Sequence, residues 1–331
     1  MNILERSALF AGILLYAGLL YQIGPATLIH DVSLVGAGFL LIFGQEQLAI
    51  LFNTLGWRYA IPVPSRDVGV SDLCAMRLAG DAVNYATPTA GLGGEFVKAR
   101  LLMRRIRAPA AIASVSVSVV NQFIGQLVFL LLSAPFILRH VQLPDLNAVA
   151  AGAAVLAAIA FAAVRYGMRN RSSFATTGRW SLLSRYTTKI AAAWHDCRAQ
   201  LVASVRHQPF DLALSVLYFT LGWAMGVVEV VLILYFLRVS IGWDDAIAIE
   251  GLSILVDLSF FFVPAKIGTQ EGGKYLIFLL LGMDPAVGLA LGVIRRLREL
   301  CWTFIGLLAL GHYQVRDMRS RPAQVMMTLE D

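Results

Sequence analysis

The chain has 331 residues, 58% of them apolar and only 15% charged, with a formal net charge of +6. Ordinary soluble domains carry roughly 25% charged residues, so this sequence has too little polar surface to coat a soluble globule of its size. That excludes the soluble classes and predicts an all-α integral membrane protein.

In chain order, Arg6 precedes an apolar run at 9–29 that is long enough to span and is followed by no clear cleavage site. It reads as a retained signal-anchor helix rather than a cleaved leader. Further spanning segments are expected at 34–55, 110–138, 146–164, 210–237 and 287–310, with 146–164 the shortest. Each offers the length needed to cross a hydrocarbon core of about 30 Å, giving about six transmembrane helices.

The stretch at 73–103 reads differently. Two arms, 73–84 and 95–103, flank an elbow containing Pro88, Gly91, Gly93 and Gly94. At a rise of about 1.5 Å per residue each arm reaches roughly half-way across the bilayer, which describes a re-entrant hairpin. Irregular backbone at that depth must be buried in protein or line a wet cavity.

The same skeleton recurs. Asp81, Pro88, Glu95, Lys98 and Pro109 reappear at a constant offset of 176 as Asp257, Pro264, Glu271, Lys274 and Pro285, with Gly268 and Gly272 in the second elbow. Duplicated, Gly/Pro-interrupted apolar segments are the sequence pointer to a transporter binding site. One alternative stays open: 246–263 is almost long enough to span by itself.

Charge sets the orientation. Lys98, Arg100, Arg104, Arg105 and Arg107 follow the first elbow, and the linker 165–208 carries eight Lys/Arg against Asp196 alone, a net +7. Both are expected in the cytoplasm, with both termini, while 240–245 (Asp244, Asp245) and 282–286 (Asp284) face outward. The basic excess therefore addresses a membrane surface, and no nucleic-acid partner is expected. In the linker, Leu183, Tyr186, Ile190, Trp194, Cys197, Leu201 and Val205 form one apolar stripe, with Arg185, Lys189 and Arg198 off it. This reads as a helix lying on the anionic inner leaflet, or as one packed on the transmembrane body. The expected organisation is a single polytopic domain, 1–331, with repeat 1 at 34–138, the basic linker at 165–208 and repeat 2 at 210–311. Three crossings between equivalent parts make the two repeats inverted.

Ionisable groups at bilayer depth are costly and face partners or wet cavities. Candidates are Glu46, Asp81, Glu95, Glu229, Asp257, Lys266, Glu271, Lys274, Arg295, Arg296, Arg298 and Glu299. Arg295, Arg298 and Glu299 are spaced to share one helix face, and Asn121 and Gln122 are their uncharged counterparts in the first repeat. Arginine forks bind phosphate or carboxylate bidentately. The expected substrate site therefore joins Asp81, Glu95, Asp257, Glu271, Lys274, Arg295, Arg298 and Glu299 around an anionic head group. The competing reading is a set of internal ion pairs. Lys98 to Arg107 read as topology anchors rather than ligands.

Asn84, Pro88, Gly93, Gly94, Glu95 and Arg100, paired with Pro264, Gly268, Glu271 and Gly272, resemble the flippase-like membrane region of the lysylphosphatidylglycerol synthase family. That family includes single-domain relatives found beside hopanoid-lipid biosynthesis genes. The resemblance covers about 34–310. It implies a polytopic protein of the bacterial inner membrane that moves a lipid, or a lipid-linked head group, between leaflets, with Glu95, Arg100 and Glu271 as functional residues. Because the chain ends at Asp331, soon after the last helix, the soluble aminoacyl-transferase domain of full-length synthases is not expected, and aminoacylation is not implied.

The leading expectation is a lipid translocase or lipid-transport protein whose partners are membrane lipids. The alternatives are an ion-coupled small-solute carrier and a membrane enzyme or accessory protein of head-group modification. Cys74, Cys197 and Cys301 form no CxxC pattern, and the five histidines form no HExxH. Gly91, Gly93 and Gly94 make no complete dinucleotide loop, and no GKS or GKT follows. No catalytic nucleophile, metal or cofactor is therefore expected.

Overall fold

A computed structural model describes residues 33, 35–86, 92–140, 208–259 and 269–327. They form eight α-helices and, among the described residues, no strand. The helices are α1 (Gly38–Ala60), α2 (Val70–Ala86), α3 (Leu92–Leu102), α4 (Ala108–His140), α5 (Pro209–Phe236), α6 (Trp243–Ser259), α7 (Thr269–Leu280) and α8 (Pro285–Met327). The expected spans at 9–29 and 146–164, the linker stripe at 183–205, Lys266, and elbow residues Pro88, Gly91, Pro264 and Gly268 lie outside the described residues.

Apolar length decides which helices can cross a bilayer. Among the described residues α1, α4 and α5 are long and apolar enough. Helix α8 has the length, but Arg295, Arg296, Arg298 and Glu299 interrupt its apolar face. Proline chemistry sets some of the ends. Pro62 forces Ile61 into extended backbone and stops α1 at Ala60, and Pro209 opens α5. Arg66 then donates to the carbonyls of Tyr59 and Ile61 at the end of α1 and pairs with Asp211 in the first turn of α5, at 2.9 Å. One guanidinium thus satisfies carbonyls left open at a helix C-terminus and ties two helices together.

Helices α1 and α5 run antiparallel. Gly38 meets Phe236 at one end, Gly56 meets Phe219 in the middle, and Arg66 meets Asp211 at the other end. A methyl on Gly56 would lie 2.9 Å from the Phe219 ring, so a side chain there would push the helices apart. Ser215 donates to the Gly56 carbonyl (2.7 Å) and accepts from Asn121 (2.9 Å), adding the polar contacts typical of intramembrane helix packing.

The first arm of the first hairpin exceeds the sequence expectation. Helices α2 and α6 have 17 residues each, whereas α3 and α7 have 11 and 12. Asp72, in the first turn of α2, favours the helix N-terminus and extends the arm backward. Both pairs fold back antiparallel. Asn84 faces Gly94 and Asp81 faces Lys98 in one, and Ser253 faces Lys274 in the other. The described part of helix α6 runs to Ser259 and α7 lies back along it, with Lys274 against Ser253, while residues 260–263 of the possible span at 246–263 lie outside the described residues.

The first helix of each hairpin packs on the last helix of the other half, α2 on α8 and α6 on α4, while α7 packs on α8 of its own half. The exterior is apolar, and the interior combines two apolar clusters with an unusual number of buried charges. Leu40, Leu48, Leu131, Leu132, Leu276 and Leu308 are exposed, while Glu229, Glu250, Lys98, Lys274 and four arginines are buried.

Candidate functional site

Where α1, α4, α5, α6 and α8 meet lies an open polar cavity of about 190 Å³. Its charged wall consists of Glu46, Glu229, Glu250, Asp257, Arg295, Arg298 and Glu299, with Asn53, Gln122 and Trp223 between them. The repeat offset runs through this wall. A shift of 176 takes Glu46, Asn53 and Gln122 onto Gly222, Glu229 and Arg298, and all six positions line the cavity.

Glu229, 2% exposed, holds the centre. Its Oε2 lies 3.0 Å from Arg295 Nε and its Oε1 lies 2.9 Å from Arg298 Nε. These are charge contacts rather than aligned hydrogen bonds, since neither N–H points at its carboxylate. Arg295 Nη2 donates to Glu250 Oε2 at 2.8 Å, and Arg298 forms a second ion pair with Glu46. Lys274 Nζ lies 3.9 Å from Glu250 and contacts Ser253 Oγ. A smaller pocket of about 30 Å³ adjoins, lined by Ser253, Asp257, Gln270, Lys274, Arg295 and Glu299. That is room enough to hold water.

Adjacent residues on a helix point in different directions, and Arg296 leaves the cavity face. It is 1% exposed and is held by both carboxylate oxygens of Glu271 while donating to Tyr85 Oη at 3.1 Å. Tyr85 is next to the last residue of α2, and Glu271 is the third residue of α7. Arg296 therefore joins the described flanks of the two elbows. It lies about 16 Å along α8 from Pro285 at the standard helical rise.

The remaining sequence candidates form a separate cluster inside the first hairpin. Asp81 pairs with Lys98 (2.8 Å) and Arg77 (3.2 Å), and Lys98 also reaches Glu95 (2.8 Å). Lys98 is only 3% exposed, as is its counterpart Lys274. Lys98 is an interior ion-pair partner, unlike the surface anchor expected from the basic run around it, because α2 delivers Asp81 to it. Arg105 fits that anchoring role better: it is exposed and pairs with Asp72. Arg100 is half-buried on α3, away from the cavity wall.

Gly93 and Gly94 lie in the first turn of α3, where Gly94 packs against the carbonyl of Gly80 and donates its N–H to Asn84 Oδ1 at 2.6 Å. Gly272 lies in α7 with open space around its α-carbon. Among the described residues one cluster carries a metal-like donor set, His140, Asp244 and Asp245. It lies away from the cavity, with His140 and Asp245 in contact at 2.8 Å.

Glu250 was not among the sequence candidates. Its counterpart in the first repeat is Cys74, so the duplication does not mark it. The available signal was its spacing of seven from Asp257, which puts both carboxylates on one face of α6.

A profile of the lysylphosphatidylglycerol synthase TM region matches residues 3–309, nearly the whole chain. The chain belongs to this family. Among curated proteins, the "UPF0104 membrane protein" of Methanothermobacter thermautotrophicus is 24% identical over 304 residues, covering 86% of this chain and 88% of the relative. No solved structure matches. Membership in the lysylphosphatidylglycerol synthase TM family agrees with the long apolar helices and the apolar exterior, and identifies a multi-pass membrane protein.

Proposed function

We propose that this protein is a lipid translocase of the bacterial inner membrane that passes a phospholipid-type head group through the charged cavity while the acyl chains stay in the bilayer. The observation that carries the reading is the distribution of polarity: a cavity of seven ionisable side chains enclosed by helices whose outer faces are leucine-rich. Arg298 is the natural phosphate ligand. Its partner Glu46 is more accessible than Glu229, so an entering phosphate can take the place of the Glu46 carboxylate.

The architecture supports an inverted repeat. The offset of 176 relates α1–α4 to α5–α8, α1 and α5 are antiparallel, and the first helix of each hairpin packs on the last helix of the other half. In this reading the hairpins are re-entrant and both termini are cytoplasmic. A cysteine placed at Gly242 in a Cys-free background should then react with a membrane-impermeant maleimide from the periplasmic side, whereas one at Ser181 should react only after the membrane is opened. Labelling at Ser181 in intact cells would reverse the orientation.

The direct test is transbilayer exchange of a head-group-accessible fluorescent phosphatidylglycerol in vesicles carrying the purified protein. Protein-containing vesicles should expose the inner-leaflet probe to an external quencher, and protein-free vesicles should keep it protected. Equal protection in both would reject lipid movement. The cavity's acid excess favours a second reading, a cation-coupled solute carrier, which predicts no lipid exchange in the same vesicles. No catalytic step is assigned to the site.

A further inference from the structure

The cavity wall has two unlike sides. On one, Glu229, Glu250, Arg295 and Arg298 are tied to one another by ion pairs. On the other, Asn53 of α1 and Gln122 of α4 line the same cavity without charge. The repeat offset sets the two sides in correspondence. Asn53 stands where the second half has Glu229, and Gln122 stands where it has Arg298, the pair that meets at 2.9 Å. The first half keeps the polar positions and drops their charge.

Other amides nearby are occupied within the fold: Asn121 donates to Ser215, and Gln45 donates to the Met225 carbonyl. Asn53 and Gln122 differ. Both are half-buried, and neither side chain hydrogen-bonds to another described residue. Gly222, also on the wall, keeps this side open, because a β-carbon there would lie 2.7 Å from Asn53 Oδ1. A carboxamide on an apolar helix is costly unless water or a ligand meets it. Each offers two N–H donors and a carbonyl acceptor, a set that matches a hydroxyl, which also donates and accepts. A trimethylammonium group offers neither.

We propose that Asn53 and Gln122 select the head group, hydrogen-bonding the hydroxyls of a phosphodiester whose phosphate lies against Arg298. The assignment rests on the lipid-moving reading and narrows it to hydroxyl-bearing head groups. The charged side of the cavity senses the phosphate, which all phospholipids share, so discrimination falls to the side that meets the neutral end. A site built to hydrogen-bond a hydroxyl rejects an analogue that lacks it, because the amides are then left desolvated and unpaired.

The test uses the full chain in vesicles and compares phosphatidylglycerol with phosphatidylpropanol, which has the same charge and head-group carbons but no head-group hydroxyl. Both lipids carry the same acyl-chain fluorophore and are read with an external quencher. Wild-type protein should exchange phosphatidylglycerol at least about tenfold faster than phosphatidylpropanol. Asn53→Leu and Gln122→Met should each bring that ratio toward one, and together should abolish the preference. A ratio of two rates in one preparation does not depend on how much of the variant protein folds. Equal wild-type rates for the two lipids overturn the assignment and leave the translocase reading standing, as does a double variant that keeps the preference. If neither lipid crosses, the translocase reading and the assignment fall together.

Discussion

Replacing Arg295 with methionine is expected to lower the unfolding free energy by about 3–5 kcal/mol, the usual cost of removing one partner from a buried ion pair. Arg295 Nε lies 3.0 Å from Glu229 and its Nη2 lies 2.8 Å from Glu250, and those carboxylates are 2% and 5% exposed. Methionine fills much of the volume but supplies no charge. Arg298 still reaches Glu229, and Lys274 lies 3.9 Å from Glu250, so the carboxylates keep some compensation and the loss should fall toward the lower end of that range. Adding Glu250→Gln removes one of the stranded charges, and the double variant should regain about 1–3 kcal/mol as a coupling energy. Denaturation in a mild detergent, followed by loss of helical signal, gives both numbers. An Arg295→Met protein as stable as wild type would mean that these pairs do not hold the fold, and that the arginine is available to a ligand at little cost.

Gly94→Val should be nearly as damaging, for a different reason. A β-carbon on Gly94 would overlap the carbonyl oxygen of Gly80, a backbone atom with nowhere to move, and would crowd the Asn84 side chain that receives the Gly94 N–H. Overpacking against backbone forces the two arms of the first hairpin apart, and a cost of about 3 kcal/mol is expected. Separating the arms also pulls Lys98 from Asp81, so the damage should reach the hairpin's charge cluster. Gly272→Ala is the control, since a methyl there meets nothing within 4 Å. If thermal melting in detergent shows the two variants equally tolerated, the close contact between α2 and α3 does not determine the hairpin.

Much of the architecture was legible because membrane solvation writes it into composition. A helix in hydrocarbon must be long and apolar, and α1, α4 and α5 show that directly. The offset of 176 was legible from Asp81, Glu95 and Lys98, and it extends to cavity positions that look unrelated as residue types, such as Asn53 and Glu229. Pairing was not legible. Lys98 sits in a basic run, and only the fold of α2 brings Asp81 against it. Arg295, Arg296 and Arg298 are one motif in sequence, yet helical rotation sends Arg296 to Glu271 and the other two to Glu229. Glu271 therefore belongs with the hairpin contact, apart from the Arg295 and Arg298 cluster with which sequence reasoning grouped it. Glu250 escaped notice because its repeat counterpart is uncharged.

The exchange of partners between the halves carries a consequence for biogenesis. Helix α2 is synthesised early, but the helix that covers it, α8, comes last; Tyr85 and Arg296 are 211 residues apart. Until the ribosome finishes α8, the first hairpin has only its smaller contacts with α1 and α4 and lacks the helix that covers most of α2. Contacts this distant in sequence are slow to form because loop closure precedes any reward from packing. The first hairpin therefore docks only after translation has passed the second, and a ribosome stalled before α8 would leave a nascent chain recognisable to membrane quality-control proteases.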